Sequence, residues 1–138
     1  MAHFHPTSNQ ATALAERHIQ GPVYMLNLLR LREVADYSAA PHLAPKEPIS
    51  GLEAYQRYLA AAAPHLDDAG GALEFYGRGG EMLIGPCDER WDIVLIVRQS
   101  SVEKFLAFSQ DEEFMKISGH RTAAIEDSRL LPLTIPTA

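Results

Sequence analysis

The sequence predicts an α+β chain: a short helix, then β-α-β-β-α-β, with four antiparallel strands and the helices on one face of the sheet. Three observations lead there. Two runs, VYMLNLLRL at 23–31 and IVLIV inside 90–98, are apolar at successive positions, as in strands buried on both sides. Between and after them lie amphipathic helical patterns that open on serine, threonine or aspartate. Glycine and proline clusters separate the elements at spacings that suit one small domain.

Each element has its own local reason. Residues 7–18 predict a modest helix, capped by Thr7 or Ser8, with Leu14 and several alanines as a weak apolar face and Gly21-Pro22 as its stop. The strand 23–31 follows. From 32 to 50 the periodicity ends, and Pro41, Pro45 and Pro48 forbid a regular helix. A loop of that length inside a compact domain is expected to border a site, as a semi-rigid lid, or to be a plain surface excursion. Ser50 and Glu53 form a capping box. The helix behind it places Leu52, Tyr55, Leu59, Ala62, Ala63 and Leu66 on one face, Pro64 is expected to kink it near its end or to split off a last turn, and Gly70-Gly71 closes it. Residues 72–84 predict a strand bent or bulged at Gly77, Gly79 and Gly80. The turn GPCDE leads to the strand 90–98. Ser100 and Glu103 predict a second capping box for a helix to about Ser109. Asp111 predicts a cap for another short helix with Phe114 and Met115 facing inward. Residues 122–125 are ambiguous, and 128–133 predict the last strand, bounded by Pro132 and Pro136. The whole is a single domain: an arm and helix over 1–21, and a core over 22–135 in the split arrangement called ferredoxin-like.

Two central strands that are apolar on both faces need two covers, and two main helices supply one. A second copy packed sheet to sheet is the economical answer, so a homodimer is expected.

Composition narrows the function. With 46% hydrophobic residues in 138, the chain can bury a core. A formal charge of -6 and no basic run argue against nucleic acid and against an anionic membrane surface. No apolar run is long enough for a bilayer, and MAHFHPTSNQ has no signal-peptide pattern, so a cytoplasmic protein is expected. The single Cys87 has no internal partner. Among His3, His5, His18, His42, His65 and His120 no metal-ligand spacing stands out. No metal or organic cofactor is expected.

Few residues are left to carry chemistry. Asn27 interrupts an apolar strand, so its carboxamide needs either a core hydrogen bond or a ligand. Arg121 suits bidentate binding of a carboxylate or phosphate, and its structural alternative is a pair with Asp127, Glu126 or Asp92. His120 beside it can move a proton near neutral pH. Arg78 stands among glycines that let a ligand approach, or is a solvated arginine on a bulged strand. Trp91 is a packing or dimer anchor, or a pocket wall. Tyr24, like Tyr55 and Tyr76, is a core tyrosine with a wet hydroxyl or a ligand contact. Asp92 can orient Arg121 or Arg90.

The segments MLNLLRLR, GLEAYQRY, LIGPCDERWDIVLIV, DEEFMKI and HRTAAIEDSRL, in that order and over most of 22–133, resemble the domain of unknown function family thirteen-thirty, within the dimeric α+β barrel superfamily. One departure stands out: related chains often carry Tyr-Pro-Ser where this one has Gln99-Ser100-Ser101, which keeps the cap and loses an aromatic. The resemblance implies a dimeric barrel with a pocket between sheet and helices. Cofactor-free monooxygenases of the superfamily use such pockets, while some relatives bind haem, for which nothing here selects an axial histidine. The implied function is a cofactor-independent enzyme, monooxygenase- or isomerase-like, acting on an apolar or aromatic compound with an oxyanion or carbonyl group. Asn27 and His120 would be catalytic, and Arg121, Arg78, Trp91 and Tyr24 would bind substrate. The alternatives are a metabolite-binding module without turnover, or an interaction dimer.

Overall fold

The computed structural model describes residues 2–136. Its elements are α1 (Ser8–Glu16), β1 (Val23–Leu31), a short 3-10 turn (Pro41–Leu43), α2 (Gly51–Asp68), β2 (Ala72–Glu81), β3 (Arg90–Gln99), α3 (Val102–Gln110), α4 (Glu112–Ile117), α5 (Gly119–Ala124) and β4 (Ile125–Leu133). The four strands form one antiparallel sheet in the order β2-β3-β1-β4. This is the ferredoxin-like α+β arrangement expected from the sequence.

Strand alternation divides β1 and β3 into two faces. Val23, Met25, Asn27 and Leu29 of β1 sit opposite Gln99, Val97, Leu95 and Ile93 of β3 and face the helices. Val23, Met25, Leu29, Ile93 and Leu95 are buried there. Tyr24, Leu26 and Leu28 share the other face with Arg98, Ile96 and Val94. Among the described residues no helix covers that second set, and these residues are only partly buried.

Helix starts follow the capping chemistry. Thr7 Oγ1 accepts from the Gln10 N–H while Gln10 reaches back to the Thr7 N–H, a complete capping box. Ser50 Oγ accepts from the Glu53 N–H, and Asp111 Oδ2 accepts from the Phe114 N–H. α3 is capped by Ser101, whose Oγ accepts from the Lys104 N–H, and not by Ser100. Ser100 instead donates to the Ala69 carbonyl and ties the turn after α2 to the end of β3. Pro64 lies inside α2 without ending it. Pro64 and Ala60 are both exposed, so the carbonyl that the proline leaves unbonded is on the solvent side. Gly70, at φ 78°, turns the chain out of α2.

Three further expectations are corrected. The β2 bulge falls between Leu73 and Phe75, ahead of the glycines, where Glu74 turns to pair with Arg98 at 3.0 Å. Met115 is exposed and only Phe114 of that pair is buried. The loop 32–50, expected to border a site or to be a plain surface excursion, packs Tyr37 against the core around Leu29 and Ile93 and supplies no residue to the cavity between sheet and helices. Its backbone is bonded to α5, Arg32 N–H to Ala124 O and Asp36 N–H to Ala123 O, and its Tyr37 and Ala40 are buried. Gly51 closes this corner. Its N–H donates to the Arg32 carbonyl, and a Cβ there would strike the Arg32 and Ala124 carbonyls.

The N-terminal arm is fastened to the edge strand β4. His3 N–H donates to Asp127 Oδ1 at 2.8 Å, and the Ser128 hydroxyl donates to the His3 carbonyl. Burial alone would raise the Asp127 pKa. The His3 and Ser128 N–H groups and the Arg129 guanidinium outweigh it and hold the carboxyl below its usual value. Next in the arm, Phe4 packs against the core that Leu29, Tyr55 and Ile125 form.

Candidate functional site

A cavity of about 240 Å³ lies between the inner face of the sheet and helices α2 to α5. Met25, Leu95 and Val97 form its floor, Leu59, Ala62 and Leu66 of α2 one wall, and Phe105, Phe108 and Phe114 another. α2 supplies this wall because its apolar residues recur at three- and four-residue spacing. Tyr58 joins Tyr55 in the wall, with ring centroids 5.4 Å apart, and stands edge-on to Phe114 at 6.0 Å. A larger concavity of about 420 Å³ at the end of the sheet is an open surface groove around Arg32, Glu33, Arg90 and Glu126.

Among so many apolar groups the lining carries the polar side chains of Asn27, Arg121, Gln99 and Ser109, beside the two phenols. Asn27 projects from β1, opposite Leu95. Its Nδ2 donates to the Met25 carbonyl at 3.1 Å, which uses one of two amide donors and leaves the other. Arg121 reaches in from α5. Its Nη1 donates to the Phe4 carbonyl at 3.2 Å, and among the described residues no carboxylate lies within 4.0 Å of its guanidinium. Asp127 and Asp92, the partners weighed from sequence, are engaged elsewhere. Asp127 pairs with Arg129 at 2.8 Å, while Asp92 accepts from the Leu31 N–H at 2.8 Å and faces Arg90 at 3.4 Å. The third polar group is Gln99. It is 2% exposed, and its Oε1 is buried with no hydrogen-bond partner.

Tyr55 and Tyr58 belong to the Arg121 end. Burial raises both phenols above their usual pKa, while the positive charge of Arg121 works in the opposite direction. Both hydroxyls therefore stay protonated at neutral pH and are available as hydrogen-bond donors.

The structure brings Asn27 and Arg121 together and separates the other candidates from them. His120 is outside the cavity. It faces the loop 32–50, where its Nδ1 is 2.7 Å from the Tyr37 hydroxyl and the rings meet edge to face at 5.5 Å. Burial, then the charge of Arg57 and the neighbouring His42, lower the His120 pKa. Nδ1 and the Tyr37 hydroxyl share one hydrogen bond, whose donor is set by the tautomer of the ring. Tyr24 lies on the opposite face of the sheet. Arg78 is exposed on the edge strand β2. Trp91 is buried at the end of the sheet, flanked by the guanidinium carbons of Arg30 and Arg129 at 5.3 and 5.1 Å from its ring centre, with its Nε1 donating to Glu89. Sequence reasoning missed Tyr58 and Gln99. The signal for Gln99 was strand alternation from Trp91 through Ile93, Leu95 and Val97.

Among the described residues no group of three histidine, cysteine, aspartate or glutamate side chains could hold a metal ion. No helix is long and apolar enough to cross a membrane.

No family model matches the chain, and no curated protein matches it. Solved structures do. The fold and cavity define a ferredoxin-like α+β protein with an apolar pocket between sheet and helices. The chain is 35% identical to the RPA0582 protein of Rhodopseudomonas palustris, a protein of unknown function, with a TM-score of 0.82 over 100% of both chains. The methylated form of RPA0582 matches at 36% identity and TM-score 0.83, over 99% of this chain and 96% of that one. The chain belongs to the family of RPA0582. At the level of fold alone it is similar to a dimeric protein of unknown function from Bacteroides fragilis, at 16% identity and TM-score 0.51 over 84% of this chain and 98% of the other. A dimeric ferredoxin-like protein of unknown function from Jannaschia matches at 12% identity and TM-score 0.53, over 83% and 100%.

The Tyr37–His120 contact carries a pH dependence. A histidine whose folded-state pKa is lowered favours the folded state above its unfolded value, near 6.5, and loses that contribution as pH falls through the lower folded value. Thermal melts across that acid range should fall more steeply for the wild type than for His120→Asn. Tyr37→Phe should cost about 1 kcal/mol at neutral pH. Parallel melting curves for wild type and His120→Asn would show that the ring does not couple to folding.

Proposed function

We propose that the protein binds a small, largely apolar or aromatic anion in the cavity between the sheet and helices α2 to α5, and that this cavity is its functional centre. The observation that carries the reading is Arg121: a guanidinium at the wall of an apolar cavity, held by one backbone carbonyl and no carboxylate. A cation there is incompletely paired, and a ligand carboxylate or enolate supplies the missing charge. The remaining Asn27 amide donor and the Tyr55 and Tyr58 hydroxyls add hydrogen bonds to the same oxygen atoms, and the phenylalanine wall suits an aromatic body.

The geometry favours binding without turnover over catalysis. The cavity lining holds no histidine, carboxylate, lysine or cysteine to act as a base or nucleophile, and His120 faces the other way. The enzymatic alternative would rest on Arg121, Asn27 and the two phenols stabilising an oxyanion while the substrate supplies its own reactivity. The family to which the segments show likeness, domain of unknown function thirteen-thirty, is part of the same proposal.

The outer face of the sheet supports a homodimer. Leu26, Leu28, Val94 and Ile96 form an apolar stripe, with Phe75 and Leu131 exposed beside it and no helix over it. Leu83 and Ile84, between β2 and β3, are also exposed. A second sheet packed on this face would remove the stripe from water. The Bacteroides fragilis and Jannaschia proteins of this fold are described as dimeric.

Two measurements test these readings. In calorimetric titrations, small aryl carboxylates should bind while the matching primary amides do not. Arg121→Met should weaken acid binding by about 2 kcal/mol and leave the circular dichroism spectrum unchanged. Equal binding of acids and amides would overturn the anion reading. Sedimentation at micromolar concentration should give a dimer for the wild type and a monomer for Leu28→Glu, whereas a folded wild-type monomer would remove the second copy from the account.

A further inference from the structure

Gln99 is anomalous in a way that Arg121 does not explain. It continues the inward row of β3, so its side chain joins Leu95 and Val97 in the cavity floor. At 2% exposure it is cut off from bulk water, yet its Oε1 has no donor. Leaving a buried carbonyl oxygen unpaired costs more than replacing the whole carboxamide with an apolar group of the same shape. Among the described residues nothing donates to this acceptor, which leaves it free for a ligand group.

Its position gives the partner's location. α5 ends beside the C-terminal end of β1, where the Arg32 N–H donates to the Ala124 carbonyl, so Asn27 is nearer to the Arg121 end than Gln99 is. Asn27 pairs with Leu95, and Gln99 lies four residues further along β3, opposite Val23. At the rise of a β-strand that is roughly 14 Å between the two backbone positions. Side chains stand roughly perpendicular to the sheet, so, with up to about 6 Å taken by hydrogen bonds that lean inward, the ligand's two polar ends are separated by roughly 8 to 14 Å. The rest of the lining is mostly apolar, with Met25, Leu95 and Val97 below and Leu59, Ala62 and Phe105 around; the Ser109 hydroxyl in it donates to the Leu106 carbonyl.

We propose that Gln99 is a specificity-determining residue that selects ligands carrying a hydroxyl at the end remote from the anion, so that the cavity is built for a hydroxylated aryl carboxylate bound lengthwise. The inference rests on the anion-binding reading of the Arg121 end. The hydroxyl donates to Gln99 Oε1 and can accept from Nε2, so the carboxamide reads it in either orientation. An aryl ring matches the phenylalanine and tyrosine wall, and a para-substituted ring with a short acid side chain spans the required distance.

The test is a matched pair, phenylpropanoate and its para-hydroxy derivative, titrated into the wild type, Gln99→Leu and Arg121→Met. The wild type should prefer the hydroxylated acid by about tenfold, one hydrogen bond to a buried acceptor. Gln99→Leu should abolish or reverse that preference, keep its affinity for the plain acid, and melt no lower than the wild type. Gln99→Met, which keeps the length of the side chain, should behave likewise. If the wild type binds both acids equally while Arg121→Met binds neither, the anion site stands and the role of Gln99 is overturned. If Gln99→Leu and Gln99→Met both melt well below the wild type and retain the preference, the carboxamide is a structural group and the proposal fails. If neither acid binds the wild type, the anion reading fails and takes this inference with it.

Discussion

The site depends on one charge placement: the guanidinium of Arg121 at the wall of an apolar cavity, restrained by the Phe4 carbonyl. Much of the fold serves that placement. The arm that delivers Phe4 is fastened to β4 through Asp127 and Ser128. The helix that carries Arg121 is held by the backbone of the loop 32–50, and by Gly51, whose missing side chain lets α2 begin against the ends of β1 and α5. Together they fix the position of α5 and of the Phe4 carbonyl to which Arg121 donates.

The two faces of the sheet divide the remaining work. The inner face builds the cavity floor and carries Asn27 and Gln99 at separate points along it. The outer face is apolar and uncovered. Because β1 and β3 are central and their side chains alternate, a change of parity in either would exchange these roles. The bulge at Glu74 shows the same constraint on an edge strand. One additional residue allows Leu73 and Tyr76 to oppose Val97 and Leu95 on the inner side while Phe75 opposes Ile96 on the outer side.

Most of the fold was legible because its signals are local. Two-faced apolar runs give central strands, and serine, threonine or aspartate before an apolar period gives a helix start. The errors arose where tertiary demand chose between equal local options. Ser100 and Ser101 can each cap α3, and the contact with Ala69 takes Ser100. Pro64 survives inside α2 because its side of the helix is solvated. The bulge went to Glu74, which has an arginine to meet, rather than to the glycines. Less of the site was legible. Asn27 and Arg121 announced themselves as polar groups in apolar or paired settings. His120 was drawn to Arg121 by adjacency in sequence, but neighbours on a helix point about 100° apart, and the two side chains leave α5 in different directions. Gln99 stood out only as a lost aromatic, since an unpaired atom is invisible until its surroundings are known.

The most direct measurement of the central claim is nitrogen NMR on selectively arginine-labelled protein, following the Arg121 guanidinium as phenylpropanoate is added. The account requires the Arg121 side-chain signals to shift in saturable fashion and their protons to exchange more slowly with water, while those of exposed Arg78 stay in place. Saturable binding that moves other arginines and leaves Arg121 unchanged would contradict it.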